Sequence, residues 1–354
     1  MSSRYPEAGS ERTLSGTADG GGLSTLPRRR FVVAVALCAV VFIAVAAIAP
    51  LLGPAHMDLL DALRDPSGPA GRILFVARLP RVLLGLLAGA CLACAGVALQ
   101  ALLRNPLATP YTLGISSGAA LGAVIAIFLG LHTAWIGLVA PTALALVGAL
   151  AASVVVYLAA AVPGRPVRPT TLLLAGVCLA YCLSAVVMLL HYLADMAVSQ
   201  TILRWLMGGL AITDPGLVAR AAVPAAVGLG MIWIEARDLN VLASGDDVAR
   251  SRGVDVARAQ RLTYAGAALA TASVVAVTGP IGFVGLVVPH SLRLVIGPDH
   301  RVLVPCSALV GGAFLVACDA AARLVLAPAE LPVGVITAVI GGPFLVWLLR
   351  SQAY

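Results

Sequence analysis

The sequence predicts an all-α, polytopic membrane protein of about ten transmembrane helices, and three observations predict it. Hydrophobic residues make up 60% of the 354 and charged residues only 11%, with a mean hydropathy of +1.01. A soluble domain of this size has no use for so much apolar surface, so lipid is the expected solvent. The apolar residues fall into ten separate runs, most of them long enough to cross a hydrocarbon core of about 30 Å as a helix. Finally, all 23 basic residues are Arg, none is Lys, and they sit mainly in short loops between the runs. A net charge of +7 in that placement is membrane topology, and it argues against nucleic acid as a partner.

Taken in order, residues 1–27 are rich in Ser, Gly and Thr with scattered charge and are expected to be disordered. The division is therefore a cytoplasmic tail over 1–30 and a ten-helix membrane domain over 31–350. Arg28-Arg29-Arg30-Phe31 faintly resembles a twin-arginine export signal, but a basic flank orienting a permanent first span accounts for it better. The apolar runs are 31–53, 82–103, 113–131, 134–162, 171–193, 216–234, 262–278, 281–296, 302–325 and 332–349. In the second, 22 residues without a charge separate Arg81 from Arg104, and Gly85, Gly89, Ala93, Gly96 and Gln100 share one helix face. Such a face suits close backbone packing against another helix. The helix stops at Asn105-Pro106, passes a break containing Pro110, and restarts at Gly114-Ile115-Ser116-Ser117-Gly118. Broken polar backbone at membrane depth survives only where it packs on protein or lines a cavity, so this segment reads as the wall of a passage. The eighth run is short and bracketed by Gly279-Pro280 and Gly297-Pro298, which marks it as broken or only partly crossing.

With the N-terminus inside, the cytoplasmic side receives Arg28–30, Arg104, Arg165, Arg168, Arg237, Arg250, Arg252, Arg258, Arg261, Arg293, Arg301 and Arg350. The outside receives Arg64, Arg72, Arg78, Arg81, Arg204, Arg220 and Arg323, so the count is 14 to seven. The basic first outer loop is the exception, and it suits an acidic partner approaching from outside. The longest polar stretch, Glu235 to Arg261, falls in the cytoplasm. Its centre carries two acids at a helix start, Asp246 and Asp247, and Arg250 and Arg252 near the end before Gly253, which complements the helix dipole. A solvated loop helix would look the same, but this is the one sizeable cytoplasmic surface for a soluble motor to grip.

Enzymatic chemistry finds little support. The five His (56, 132, 191, 290 and 300) are scattered, and there is neither an H-E-x-x-H nor a P-loop, so the chain cannot bind ATP in the Walker manner. The Cys residues (38, 91, 94, 178, 182, 306 and 318) lie mostly in apolar runs and read as small buried residues, the C-x-x-C of Cys91 and Cys94 included. No metal site is expected. An ion-coupled secondary transporter would bury acids in discontinuous spans, yet Asp319 is the only clearly internal carboxylate, with Arg323 one turn away.

Several strings, in order, carry a resemblance: RLPR (78–81), RNPLATPYTLG (104–114), GISSGAALGA (114–123), RWLMGGL (204–210), GDDVARSRGV (245–254), TGPIGFVGLVVPHSLRLVIGPDHR (278–301), DAAARLVLAPAELPVG (319–334) and VIGGPFLVWLLR (339–350). From about residue 31 to 350 the chain resembles FecCD-family permeases, the membrane subunits of type II ATP-binding-cassette importers for iron-siderophores, haem and cobalamin. The resemblance implies ten spans in a multi-pass protein of the bacterial inner membrane, with both termini cytoplasmic. It implies a homodimer around a central path, two cytoplasmic ATPase subunits that carry ATP and Mg, and a periplasmic substrate-binding protein; this chain itself would bind no cofactor. It places Arg78, Arg81 and Arg323 at the binding-protein dock, although Arg323 could equally be paired to Asp319. It makes about 239–256 the coupling helices, with Asp246, Asp247, Ala249, Arg250, Arg252 and Gly253 facing the ATPase and Ala249 and Gly253 forming a packing notch. The path is expected along Asn105, Ser116, Ser117, Leu172, Gly176, Ser184, Thr337, Gly341 and Gly342. His191, Tyr192 and Met196 read as an interfacial anchor rather than ligands, and His290 as structurally hydrogen-bonded. An iron chelate (siderophore or haem) is the first expected substrate and cobalamin the alternative.

Overall fold

The computed structural model describes residues 28–351 apart from 55–56, 132–133, 136–137, 163–165, 212–213 and 328. The tail over 1–27, His56, His132 and Arg165 lie outside the described residues. In chain order the helices begin with α1 (Arg28–Ile48), a 3-10 turn (Ala49–Leu51), α2 (Leu59–Arg64) and α3 (Pro69–Arg72). A π-helical turn (Ile73–Arg78) then runs into α4 (Leu79–Leu103), followed by α5 (Ile115–Phe128). A small antiparallel pair, β1 (Ala134–Trp135) and β2 (Leu138–Val139), precedes α6 (Ala140–Ala160). The rest is helical: α7 (Pro169–Leu193), α8 (Met196–Leu206), α9 (Gly216–Ile234), α10 (Ala236–Leu242), α11 (Asp246–Ser251), α12 (Val256–Thr278), α13 (Val284–Ile296), α14 (His300–Leu324) and α15 (Val333–Ser351).

Among the described residues, seven helical stretches are long and apolar enough to cross a membrane, and three shorter apolar helices, 115–128, 284–296 and 333–348, bring the total to ten. Each of the ten apolar runs therefore contains one such helix. The run 134–162 is not helical throughout, because it opens with the hairpin and becomes helix only at Ala140, where Pro141 occupies the first turn. The eighth run gives the 13-residue α13, preceded by Gly279 at φ 67° and ended by Gly297 at φ 89°. Helix α8 was not expected; Asp195 caps it by accepting a hydrogen bond from the Val198 amide at 2.8 Å.

Helix α4 is the core of the bundle, packed by α14, α12 and α13. The small-residue face is the reason. A Cβ at Gly89 would collide with the Gly311 carbonyl of α14, and one at Gly96 with the Gly285 carbonyl of α13. Backbones thus touch where larger side chains would hold them apart, the contact that drives helix association in lipid. Gln100, a turn beyond Gly96, donates to the Gly285 carbonyl at 3.0 Å and accepts from Arg293 at 2.5 Å. Cys38, Cys91, Cys94, Cys306 and Cys318 are buried as expected, but Cys178 and Cys182 are exposed on α7, one turn apart. Among the described residues nothing covers that face of α7.

Candidate functional site

A cleft of about 590 Å³ is lined by Tyr111, Leu206, Met207, Pro280, Gly282, Phe283, Gly334, Val335, Ala338 and Val339. Four segments meet there: the break after α4, the end of α8, the break before α13 and the start of α15. Its size falls in the range of ligand sites, and no lining residue is charged. Phe283 sits at φ 67°, in the left-handed region, which costs an L-residue roughly 1–2 kcal/mol and persists only where the surroundings over-determine it. Here the surroundings include Gly341, whose missing Cβ leaves the room that the Phe283 ring fills.

The break after α4 lines this cleft through Tyr111 rather than through the residues first singled out. Asn105 spends its carboxamide oxygen on the Leu107 amide at 2.9 Å, in an Asx turn. Ser116 is buried beside the Tyr111 hydroxyl, and Ser117 is half-buried. Leu172 is buried, and Gly176 lies against Leu113, whose Cα would be 2.7 Å from a Cβ there. Thr337 is fully buried and donates to the Gly334 carbonyl at 3.0 Å. These residues pack the chain internally, so the lining expected at Leu172, Gly176, Thr337 and Gly341 is corrected. On α15 the cleft belongs to Val335, Ala338 and Val339 instead. Ser184 is exposed on α7, and Asn105, Ser117 and Gly342 are half-buried, so these four keep an open face. Met207 and Phe283 were missed; the signal available was their place beside Gly208 and Gly282, in loops that interrupt apolar runs.

The polar stretch 236–253 folds as two helices, α10 and α11, joined by a turn. Gly245 (φ 119°) and Gly253 (φ 81°) bracket α11, and no atom lies within 4 Å of a Cβ at either, so conformation rather than room demands glycine. Asp247, Val248, Arg250 and Arg252 face outward, with Arg250 paired to Asp247 at 2.7 Å. Ala249 does not: it is fully buried in the chain's own core. A notch shared by Ala249 and Gly253 on the outer face is therefore ruled out. Asp246 is also turned inward, paired with Arg104. Asn240 of α10 donates to Asp299 at 2.8 Å and accepts from the His300 amide at 2.8 Å, fastening α10 to the start of α14. Burial pushes the Asp299 carboxyl up, but the hydrogen bonds from Arg301 and Asn240 outweigh it and hold it below the ordinary carboxylate range.

The three arginines expected at a docking surface converge, but not as a free cationic patch. Arg323 is 3% exposed; it donates to the Leu52 carbonyl at 2.7 Å and lies 3.2 Å from Asp319. Arg78 is 6% exposed and donates to the carbonyls of Pro50 and Leu51 at 3.1 and 3.2 Å. Both hold the turn after α1 against the bundle, so a direct docking contact for Arg78 and Arg323 is corrected. Arg81 grips the buried Asp319 with Nε and one terminal nitrogen, at 2.9–3.0 Å, and Glu330 with the other at 2.7 Å. Removing one member of such a buried cluster strands the others, at about 3–5 kcal/mol. His191 pairs with Ser199 of α8 at 2.7 Å, while Tyr192 and Met196 are exposed. His290 packs edge-on to Phe344, 6.1 Å between centroids. Its Nε2 has no hydrogen-bond partner among the described residues, contrary to the expected pairing.

A polytopic helical bundle with an uncharged cleft and a short, glycine-bracketed helix on a polar arm has the makings of a membrane transport subunit. Comparison with known proteins agrees. Residues 31–351 match the FecCD transport family. Over 281 residues the chain is 47% identical to the cobalamin import system permease protein of Halobacterium salinarum, covering 79% of this chain and 74% of that one. Over 286 residues it is 41% identical to the hemin transport system permease protein of Yersinia pestis, covering 78% and 82%. A solved structure described as an inward-facing metal-chelate type ABC transporter superposes with a TM-score of 0.78 at 30% identity, covering 90% of this chain and 99% of that one. The chain belongs to the FecCD transport family: it is the membrane permease of an ATP-binding-cassette importer, a transport component and not an enzyme.

Proposed function

We propose that the importer carries a metal-bound tetrapyrrole, cobalamin before haem, through a path that two copies of this chain build from facing clefts. The observation that carries the reading is the cleft's lining, apolar and aromatic with no charge, the Tyr111 hydroxyl itself being buried. A large, mostly buried ligand slides past such a wall without being trapped by ionic contacts, and selection is left to a separate binding protein. The named relatives act on cobalamin and hemin, which sets cobalamin ahead of the iron chelate favoured by the sequence alone. Haem remains the second reading for the same reason, and a ferric siderophore the third.

In this reading the membrane is the bacterial inner membrane, with both termini and α11 on the cytoplasmic side. Two ATPase subunits, holding ATP and Mg, seat the outer face of α11 through Asp247, Val248, Arg250 and Arg252. A periplasmic binding protein docks at the opposite end, where Arg81 is the reachable cation once Glu330 gives way. The exposed face of α7, with Ser184, meets the second copy or the path. Uptake in proteoliposomes containing the chain, its ATPase and its binding protein tests the proposal. Labelled cobalamin is expected to accumulate only with ATP inside the motor compartment. Uptake of hemin alone would move the assignment to the second reading, and uptake driven by an ion gradient without ATPase would sink the whole scheme.

A further inference from the structure

We propose that Arg104 is a positioning residue that ties α11 to the wall of the cleft, so that movement of the motor-gripped helix is delivered to Tyr111. The proposal rests on the reading of α11 as the motor's seat.

Arg104 ends α4 in the left-handed conformation, φ 48°, ψ 37°. The Arg104 amide donates to the Ala101 carbonyl at 3.3 Å, and the Asn105 amide to the Gln100 carbonyl at 3.2 Å. This closure normally has glycine at the left-handed residue, and Arg104 and Phe283 are the two non-glycine residues with positive φ among those described. Backbone strain of this kind is kept where a side chain is needed. The side chain spans a gap in the fold: Nε donates to the carbonyl of Leu242, the last residue of α10, at 3.2 Å, and the guanidinium pairs with Asp246, the first residue of α11. One side chain therefore bridges the Ala243–Gly245 turn and grips both arms of the polar stretch.

On its other side Arg104 is continuous with a stiff segment. Asn105 closes the Asx turn on Leu107, and the Thr112 hydroxyl both donates to the Thr109 carbonyl at 2.7 Å and accepts from its amide at 3.2 Å. Tyr111 of this segment lines the cleft, and Leu113 presses on Gly176 of α7. A displacement of α11 is handed to a cross-linked turn rather than to slack chain, which suits the rigid-body repertoire of switching proteins. The other ion pair of α11, Arg250 with Asp247, lies wholly on the outer face and has no such reach.

The test uses the complete importer in proteoliposomes and reads substrate transported per ATP hydrolysed, a ratio that a merely structural residue would not move. Arg104→Gly suits the left-handed position better than arginine, so the end of α4 keeps its geometry while the bridge is lost. The ratio is expected to fall roughly tenfold, within the range of coupling factors between sites. Arg104→Lys, which can hold Asp246 but not Leu242 as well, is expected to fall between. The reversed pair, Arg104→Asp with Asp246→Arg, is expected to regain part of the loss. An unchanged ratio in R104G overturns the proposal. If R104G lowers assembly, R104K decides in its place, and a wild-type ratio there overturns it equally. Val248→Glu, on the outer face of α11, tests the underlying reading separately. If it uncouples or detaches the ATPase while R104G is silent, the motor seat stands and the bridge falls. If V248E is silent, the seat itself is wrong and the proposal goes with it.

Discussion

Helices α1 and α7 are the two least covered spans of this chain, 6% and 17% buried over their most apolar windows, yet their bare faces are made of different chemistry. Along α1 the large exposed side chains are aliphatic: Val32, Val33, Leu37, Val40, Val41, Ile43 and Ile48. Along α7 they include Tyr181, Met188 and Tyr192, with Cys178, Cys182 and Ser184 among them. Lipid tails reward the first set and are indifferent to packing precision. The second set carries hydroxyls at mid-helix, which hydrocarbon cannot hydrogen-bond. Exposure in an isolated membrane subunit thus means two things, and side-chain chemistry separates them. The aliphatic face of α1 suits lipid, and the more polar face of α7 suits the second copy or the path proposed above.

The hardest way to break that contrast is to place a carboxylate at the middle of each helix. On α1, Val40→Asp should cost about 2.5–3.5 kcal/mol of insertion, seen as a large drop in membrane-integrated protein. On α7, Ser184→Asp is expected to leave integration near wild type and to cut transport, because the charge meets protein or water. Equal loss of integration in both variants would return α7 to the lipid. A second test opposes the two walls of the cleft. Gly341→Leu drives a side chain into the Phe283 ring, where there is no room for even one methyl. Overpacking costs about 1–3 kcal/mol, so the protein should still assemble, while transport falls several-fold as Phe283 is pushed into the cleft. Val339→Ala, at an exposed lining position, should leave transport within about twofold. Wild-type transport by G341L would remove Phe283 from the passage.

The native thiols sharpen the contrast more gently. A membrane-impermeant maleimide applied to the assembled importer should label Cys178 and Cys182 well ahead of buried Cys38 where α7 lines a water-filled path. Thiolates form only where water reaches. Labelling that proceeds only with a lipid-soluble reagent would place that stretch of α7 in hydrocarbon.

Much of this was legible in the sequence because apolar runs and their breaks are long-wavelength features. Ten runs gave ten helices, the Gly85–Gln100 face proved to be the packing seam, and Gly253 follows the end of α11 as expected. What failed was azimuth. Helix α15 is apolar all round, so nothing in its sequence says whether Thr337 and Gly341 or Ala338 and Val339 look into the cleft; neighbouring helices decide that. Ala249 failed for the same reason, since a small residue fits equally well against a motor or against its own core. The arginines failed differently. Three cations near one end of a bundle look like a docking patch until Asp319, more than 200 positions from Arg81 in the chain, and the carbonyls after α1 are folded against them.

The smallest expected effect concerns the carboxylate that covers Arg81. Asp319 is buried and shared by two arginines, whereas Glu330 is 43% exposed and holds Arg81 from outside. An exposed ion pair is worth at most about 1 kcal/mol, so Glu330→Gln should barely move thermal stability. Glu330 takes the Arg81 terminal nitrogen that Asp319 does not, so an incoming carboxylate from a binding protein would compete with it. Weakening the internal partner should then tighten docking by a few-fold, measurable as binding-protein affinity for the reconstituted importer and as a steeper loss of that affinity with salt. Unaltered affinity in E330Q would mean that Arg81 is a purely internal brace like Arg78 and Arg323, and that docking falls to the exposed Arg64 and Arg72 of the same basic loop.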